Sequence, residues 1–457
     1  MRLMTRDKSF YKNFISLLAF IAVQDLVRFS VNLADNFMLG AYQESAMSGA
    51  ALANQIQFLL MMLIGGIGDG ASVMGSQYWG TAQTGAIRKV ASSALRTGLM
   101  ISGFFAVAAL VIPVPILSVF SNDAPIVRDG ANYLRIMSAG LLLSALSGIL
   151  LRVHQSAETV SLGVKVSVMS LFLNIGLNYI MIFGHFGFPE MGAAGAALAT
   201  VISRAAEFAV IAVFTWKKDK KIQMQIKEAL RIDKVLHKDF IRVSLPVILS
   251  GGSWGIAMCL QAVILGRMGP SAIGANAVAT TLAQVLSVIV YASAAASGVI
   301  TGKAVGRDDL KAVREYTRSF QVIFLCLGIV SCFAFQWVKP AILALYASSL
   351  QPETASLAGQ FIDILSVTVI GTAYQMSCLT GIVRGGGHTK FVLYNDLIHM
   401  WGIVLPSSAL CAFVFNLSPV VVFACLKSDQ ILKCIVAFFE VNSYRWIRKV
   451  TRDTPSV

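Results

Sequence analysis

The stretch "LMISGFFAVAALVIP", residues 99–113, runs for fifteen residues without a charged side chain. A half-buried strand alternates apolar and polar residues, and this run does not. It reads as a helix in an apolar surround. "LLMMLIGGIG" (59–68) and "VIFLCLGIVSCFAF" (322–335) have the same character, and similar runs of about 20 residues recur along the chain, each long enough to cross the ~30 Å hydrocarbon core of a bilayer. The composition agrees: 56% apolar and 13% charged residues, with a mean hydropathy of +0.72. Soluble globular chains do not have that balance. Barrel strands would appear as ~10-residue segments of alternating polarity, so the fold class is all-α, a polytopic helical membrane protein. The opening "MRLMTRDKSFYKNF" leads into the first apolar segment without a small-residue cleavage site, so the first helix is expected to remain.

Twelve spans are expected, near 14–39, 47–79, 87–111, 128–153, 161–184, 190–216, 240–267, 271–302, 314–338, 354–384, 391–415 and 418–440. Basic residues fix their orientation. Four lie before the first span, and three lie at the connection of the second to the third, counting the adjoining span ends. Counted the same way, two lie at the connection of the fourth to the fifth, nine in and around 217–242, five at that of the eighth to the ninth, two at that of the tenth to the eleventh, and four after the twelfth. The opposite loops hold three: Arg128, Arg267 and Lys339. An excess of this size places both termini in the cytoplasm. It also accounts for the net charge of +14 without nucleic acid as a partner. Seven cysteines lie in or beside apolar runs with no CxxC or metal-ligand spacing, and read as small buried hydrophobes.

The one long polar segment, "KKDKKIQMQIKEALRIDKVLHKD" (217–239), divides the chain in half. Its second part has helical apolar spacing suited to the inner membrane surface. The halves are copies. At an offset of 226, "DNFMLGAYQESAMSGAALAN" (35–54) falls without a gap on "QAVILGRMGPSAIGANAVAT" (261–280), and the register continues through loops with Arg88 on Arg314 and Gly80 on Gly306. Six helices repeated in the same orientation are related by an axis along the membrane normal. The expected domains are therefore an N-terminal six-helix bundle, 1–216, a cytoplasmic linker, 217–239, and a C-terminal bundle with a basic tail, 240–457, pseudo-symmetric to the first.

Taken in order, "VNLADNFMLG" (31–40), "GASVMGSQYWG" (70–80), "LNIGLNYIMIFGHFGFPEMGAAGAALATVIS" (173–203) and "IVRGGGHTK" (382–390) resemble stretches of the bacterial multidrug and toxic compound extrusion family, over essentially the whole chain. The resemblance implies two six-helix bundles facing a V-shaped cavity in the plasma membrane. It also implies export of organic, usually cationic, amphiphiles in exchange for protons or sodium ions.

The residues themselves single out one acid. Asp25 and Arg28 are three apart and can neutralise each other, whereas Asp35 has no basic residue within three or four positions. A carboxylate alone in a span is costly and marks an ion pathway. Asn174 and Asn178, four apart, line one face of the fifth helix, and Thr200 lies in the Gly/Ala-rich start of the sixth. By resemblance Asp35, Asn174 and Thr200 match a cation-coupling site of the family. Asn178 stands where the most acidic version carries a second aspartate, which weakens the case for sodium. The second half has Gln261 opposite Asp35, Trp254 where another branch has a glutamate, and no aspartate near Ala373. Coupling is therefore expected in the N-terminal half.

Gln55, Asp69, Gln261, Gln284 and Asp396 are candidates for the substrate cavity; Asp396 shares a face with His399 and either attracts a cation or pairs. Arg204 and Glu207 read as an i, i+3 structural pair. "GGIGDGASVMG" (65–75) lacks the GK[ST] of a phosphate loop and reads as close helix packing. No nucleophile or metal constellation marks an enzyme, and no cofactor is expected beyond the coupling ion, H+ or Na+. The partners expected are organic small molecules and membrane lipid, the chain acting as a monomer. The alternative within the same superfamily is a flippase for lipid-linked saccharides or lipids, which calls for a more cationic interior than this one.

Overall fold

The computed structural model describes residues 4–121, 123–225, 228, 233–346 and 351–452. Among them the regular structure is helical throughout. A chain in hydrocarbon must satisfy its backbone polar groups internally, and helices do so within each segment. The spans are Lys8–Tyr42, Glu44–Gly80, Thr84–Val111, Ala124–Ser156, Ser161–Phe183, Gly192–Lys218, Lys234–Gly266, Val288–Gly306, Leu310–Tyr346, Pro352–Val383 and Thr389–Val414. These eleven are long and apolar enough to cross a membrane. The protein is a multi-pass membrane protein.

Two expected spans are broken. The eighth divides at Ser287 into Pro270–Leu286 and Val288–Gly306. The twelfth divides at Lys427 and Ser428 into Pro419–Leu426 and Asp429–Ser443, each too short to cross alone. The first, second and ninth run several residues past their expected ends, to 35, 37 and 37 residues, more than a bilayer needs unless they tilt or protrude. In the eleventh, wide π turns over Ile398–Val404 and Leu410–Val414 flank Pro406, which has no N–H to give an ordinary helical ladder.

The chain forms two compact units, Val23–Ile248 and Met1–Ala22 with Leu249–Val457. Their boundaries fall inside the first and seventh helices, where the sequence suggests a division at 217–239 instead. In the Val23–Ile248 unit the second span packs most extensively on the fourth, and the sixth on the fourth and fifth. Small residues allow this. A Cβ on Gly70 would lie 2.4 Å from Ser244 Cβ, and one on Gly66 2.6 Å from Ile248 Cα, so the glycine-rich 65–75 run is a packing surface. In the other unit the ninth span packs on the tenth. Its core includes Phe361 stacked on Phe423 at 4.0 Å, and Phe10 and Phe14 close on Phe320 at 4.9 and 5.2 Å.

The linker's first part is tied down within the Val23–Ile248 unit. Arg88 Nε donates to Ile222 O at 2.7 Å and its Nη1 pairs with Glu228 at 3.1 Å. Lys89 pairs with Asp233 at 2.9 Å. Most of the expected amphipathic helix, over 226–227 and 229–232, lies outside the described residues.

Candidate functional site

Three helices bring the polar residues of the first half together inside the Val23–Ile248 unit. Asp35, on the first, is 8% exposed. Asn174 and Asn178 face it from one side of the fifth, and Thr200 from the sixth; all three are buried. Asn178 Nδ2 donates to Asp35 Oδ1 and, at 3.2 Å, to Asn174 Oδ1. Asn174 Nδ2 donates to Thr200 Oγ1 at 3.3 Å, and the Thr200 hydroxyl donates to Ala196 O at 2.9 Å. Asn178 thus donates both to the carboxylate and away from it, and from Asn174 onward the donors point toward Thr200 and the sixth helix.

What this leaves is acceptor capacity. Asn178 Oδ1 is buried and has no hydrogen-bond partner among the described residues. An amide oxygen has two lone pairs and an ionised carboxylate about four. A buried cluster whose spare valences are all oxygen acceptors suits a proton or a hard monovalent cation.

Helical spacing adds groups that sequence reading assigned elsewhere. Arg204 and Glu207 follow Thr200 by four and seven residues, and Arg28 precedes Asp35 by seven, so all lie on the site's face. Arg204 Nη1 donates to Glu207 Oε2 at 2.7 Å, as the i, i+3 spacing suggests. Arg28 differs from its expected pairing with Asp25. Its partner within ion-pair distance is Glu207, at 3.8 Å. Three residues along a helix merely allow a pair, and here a buried carboxylate from the sixth helix competes successfully. Tyr133, buried on the fourth helix, adjoins Thr200 and lies within electrostatic reach of Asp35 and Arg204. Its only sequence signal was a phenol between Asn132 and Arg135 in a membrane span.

The cavity candidates are not drawn into this cluster. In the Val23–Ile248 unit, Gln55 is exposed and Asp69 pairs with Arg152 at 3.6 Å. In the other unit, Gln284 is exposed, and Gln261, buried, donates to Met400 Sδ at 3.4 Å. Asp396 pairs with Lys433 at 3.0 Å, while His399 Nδ1 bonds Asn395 O at 2.8 Å. Lys433, a basic residue inside the expected twelfth span, is thus the partner of Asp396.

A duplicated, multi-pass bundle with a buried ion-type cluster has the architecture of a membrane transporter of small molecules. The MatE family model matches residues 21–180 and again 253–410, one copy in each half, and the chain belongs to this family. It is 23% identical over 449 residues to "Uncharacterized transporter YisQ" of Bacillus subtilis, covering 97% of this chain and 96% of that one. It is 23% identical over 435 residues to "Probable multidrug resistance protein NorM" of Thermotoga maritima, covering 94% and 92%. Among solved structures, "Outward-facing conformation of a multidrug resistance MATE family transporter of the MOP superfamily" superposes with a TM-score of 0.86 at 18% identity, over 96% of this chain and 98% of that one. "Crystal structure of MATE in the straight conformation" does so with 0.84 at 19%, over 96% and 98%. At these identities the structural likeness speaks for the twelve-helix fold.

Proposed function

We propose that the protein is a secondary active multidrug exporter of the plasma membrane, with both termini cytoplasmic. It moves organic, cationic amphiphiles outward by alternating access as protons or sodium ions move in. The relatives named for multidrug resistance support the efflux reading. The observation that carries the coupling is the Asp35 cluster, in which the donors are spent and only oxygen acceptors remain.

Asp35 is the group that gains and loses the coupling cation. Asn178 orients its carboxylate, and Asn174 and Thr200 anchor Asn178 in turn. Loading Asp35 removes a buried negative charge from the cluster, and that change in charge biases the bundle between its two states. One carboxylate supplies one exchange per cycle, and the chain works as a monomer. The test is uptake of a panel of organic cations into inverted vesicles under separately imposed pH and sodium gradients. Uptake driven by either gradient supports the reading, and uptake indifferent to both overturns it.

A further inference from the structure

The Asp35 cluster uses the first, fifth and sixth spans of the first repeat. Their equivalents in the second repeat are the seventh, eleventh and twelfth, and these also converge on charged groups, within the unit that contains Leu249–Val457. The second cluster does not sit opposite Asp35, where Gln261 stands. It is built around Ser250, eleven residues or about three helical turns earlier in the seventh span.

Ser250 Oγ donates to Asp396 Oδ2. Lys433 Nζ donates to the other oxygen of the same carboxylate at 3.0 Å. The same ammonium is 3.4 Å from Asp429 Oδ2, one turn earlier on its own helix. Asp429 opens that helix just after the break at Lys427 and Ser428, and Lys427, resting over the Phe423 ring at 5.5 Å, is within electrostatic reach of it. The two partners of Lys433 differ in access. The side chain of Asp429 is 4% exposed and that of Lys433 7%, whereas that of Asp396 is 27% exposed.

We propose that Asp396 is the docking carboxylate for the positive group of the exported compound, an organic ammonium or phosphonium. Lys433 is the protein's own substitute for that group. It holds Asp396 when no substrate is present and retreats onto Asp429 when one arrives. An ammonium with three donors can be shared between two carboxylates, so the exchange leaves neither aspartate uncompensated at any stage. Before loading, two aspartates face one ammonium, an excess of one negative charge that attracts a cation, and the loaded cluster is neutral. A pair kept only for stability gains nothing from this arrangement, since apolar side chains fill such space at least as well. This inference rests on the efflux reading.

The experiment is equilibrium binding of ethidium and tetraphenylphosphonium to the purified full-length protein in lipid nanodiscs. Asp396→Asn should weaken binding of both by about thirtyfold or more, the scale of losing one partner of a desolvated charge pair. Lys433→Met should tighten it by several-fold, because the competitor for Asp396 is gone. Asp429→Asn keeps the Asp396–Lys433 pair intact and so should fold; it should weaken binding, because Lys433 has lost its second partner. Variants that bind like the wild type, while the wild type binds and transports both cations, overturn the role of Asp396 and Lys433 and leave the efflux reading standing. Weaker binding in Lys433→Met also overturns it. A wild type that neither binds nor transports organic cations overturns the efflux reading and this inference together.

Discussion

The Asn178 amide and the Asp35 carboxylate are joined by a hydrogen bond that closes 143 residues of chain between the fifth helix and the first. The bond fixes which way the amide faces. With Nδ2 committed to the carboxylate, Oδ1 is left as a buried acceptor without a partner among the described residues. An unsatisfied buried polar atom costs about 1–3 kcal/mol. A cation bridging Asp35 and Asn178 Oδ1 would offset that cost, and so would the proton of a neutral Asp35 if the amide turned over.

Asp35→Asn removes the carboxylate of the hydrogen-bonded chain while nearly preserving its shape. Resistance in a drug-sensitive bacterial host should fall to that of cells without the transporter, with the amount of protein in the membrane unchanged. Measured inhibitory concentrations beside an immunoblot decide it. Wild-type resistance would remove Asp35 from coupling.

Asn178→Ala keeps the carboxylate but takes away its donor. Losing a hydrogen bond to a charged group costs about 1.5–3 kcal/mol, so gradient-driven uptake should drop by about tenfold or more. Asn174→Ala, one bond further from Asp35, should cost less. Equal losses in the two variants would mean that the chain does not act through Asp35.

The fold was legible in the sequence wherever a single physical requirement dominated. Continuous apolar runs demand helices, and the 226-residue offset between Leu39 and Leu265 or Gly40 and Gly266 exposes the duplication that the two family matches repeat. Breaks at Ser287 and at Lys427 with Ser428 were not legible, because a polar residue within a hydrophobic run is as compatible with a continuing helix as with a turn. For the site, Asp35, Asn174, Asn178 and Thr200 could be picked out as polar residues in spans, and the structure gathers them. The partners of Arg28 and Asp396 could not, since ion pairs between helices are set by rotation and depth, which spacing along one helix does not contain. Hence Glu207 as the partner of Arg28, and Lys433 as that of Asp396, entered only with the structure.

Glu207 holds two arginines, so its loss should be felt well beyond that of Asp25. Glu207→Gln leaves Arg28 and Arg204 without their shared carboxylate in an apolar interior. Removing one partner from a buried ion pair costs about 3–5 kcal/mol. Thermal unfolding in detergent should shift down by several degrees for Glu207→Gln and much less for Asp25→Asn. The reverse order would restore Asp25 as the main partner of Arg28.

Gly70 is a packing test. Any Cβ there meets Ser244 at 2.4 Å, with Ser244 Cα at 2.8 Å, so backbone and not just a mobile side chain must give way. Gly70→Val should destabilise by about 1–3 kcal/mol, as overpacking does, whereas valine at Gly65, with open space around it, should be tolerated. Unfolding midpoints of the two purified variants make the comparison.

The linker gives a prediction outside the membrane. Asp233 Oδ1 accepts the backbone N–H groups of Leu236 and Val235, both at 3.1 Å, and Oδ2 accepts Lys89 Nζ at 2.9 Å. The Leu236 N–H, followed by Lys89, holds the Asp233 carboxyl below its ordinary range. A carboxyl depressed in the folded state contributes its full stabilisation above its unfolded pKa of about 3.9. The contribution drains away as pH falls through the lower folded value. Hydrogen exchange at the Val235 and Leu236 amides, corrected for intrinsic rate, should therefore be equally slow at pH 7 and pH 5 and should accelerate below about pH 4. Lys89→Ala removes one of the two main causes of the depression. Protection should then begin to fail at a higher pH than in the wild type, and an unchanged profile would mean that the helix start alone holds Asp233.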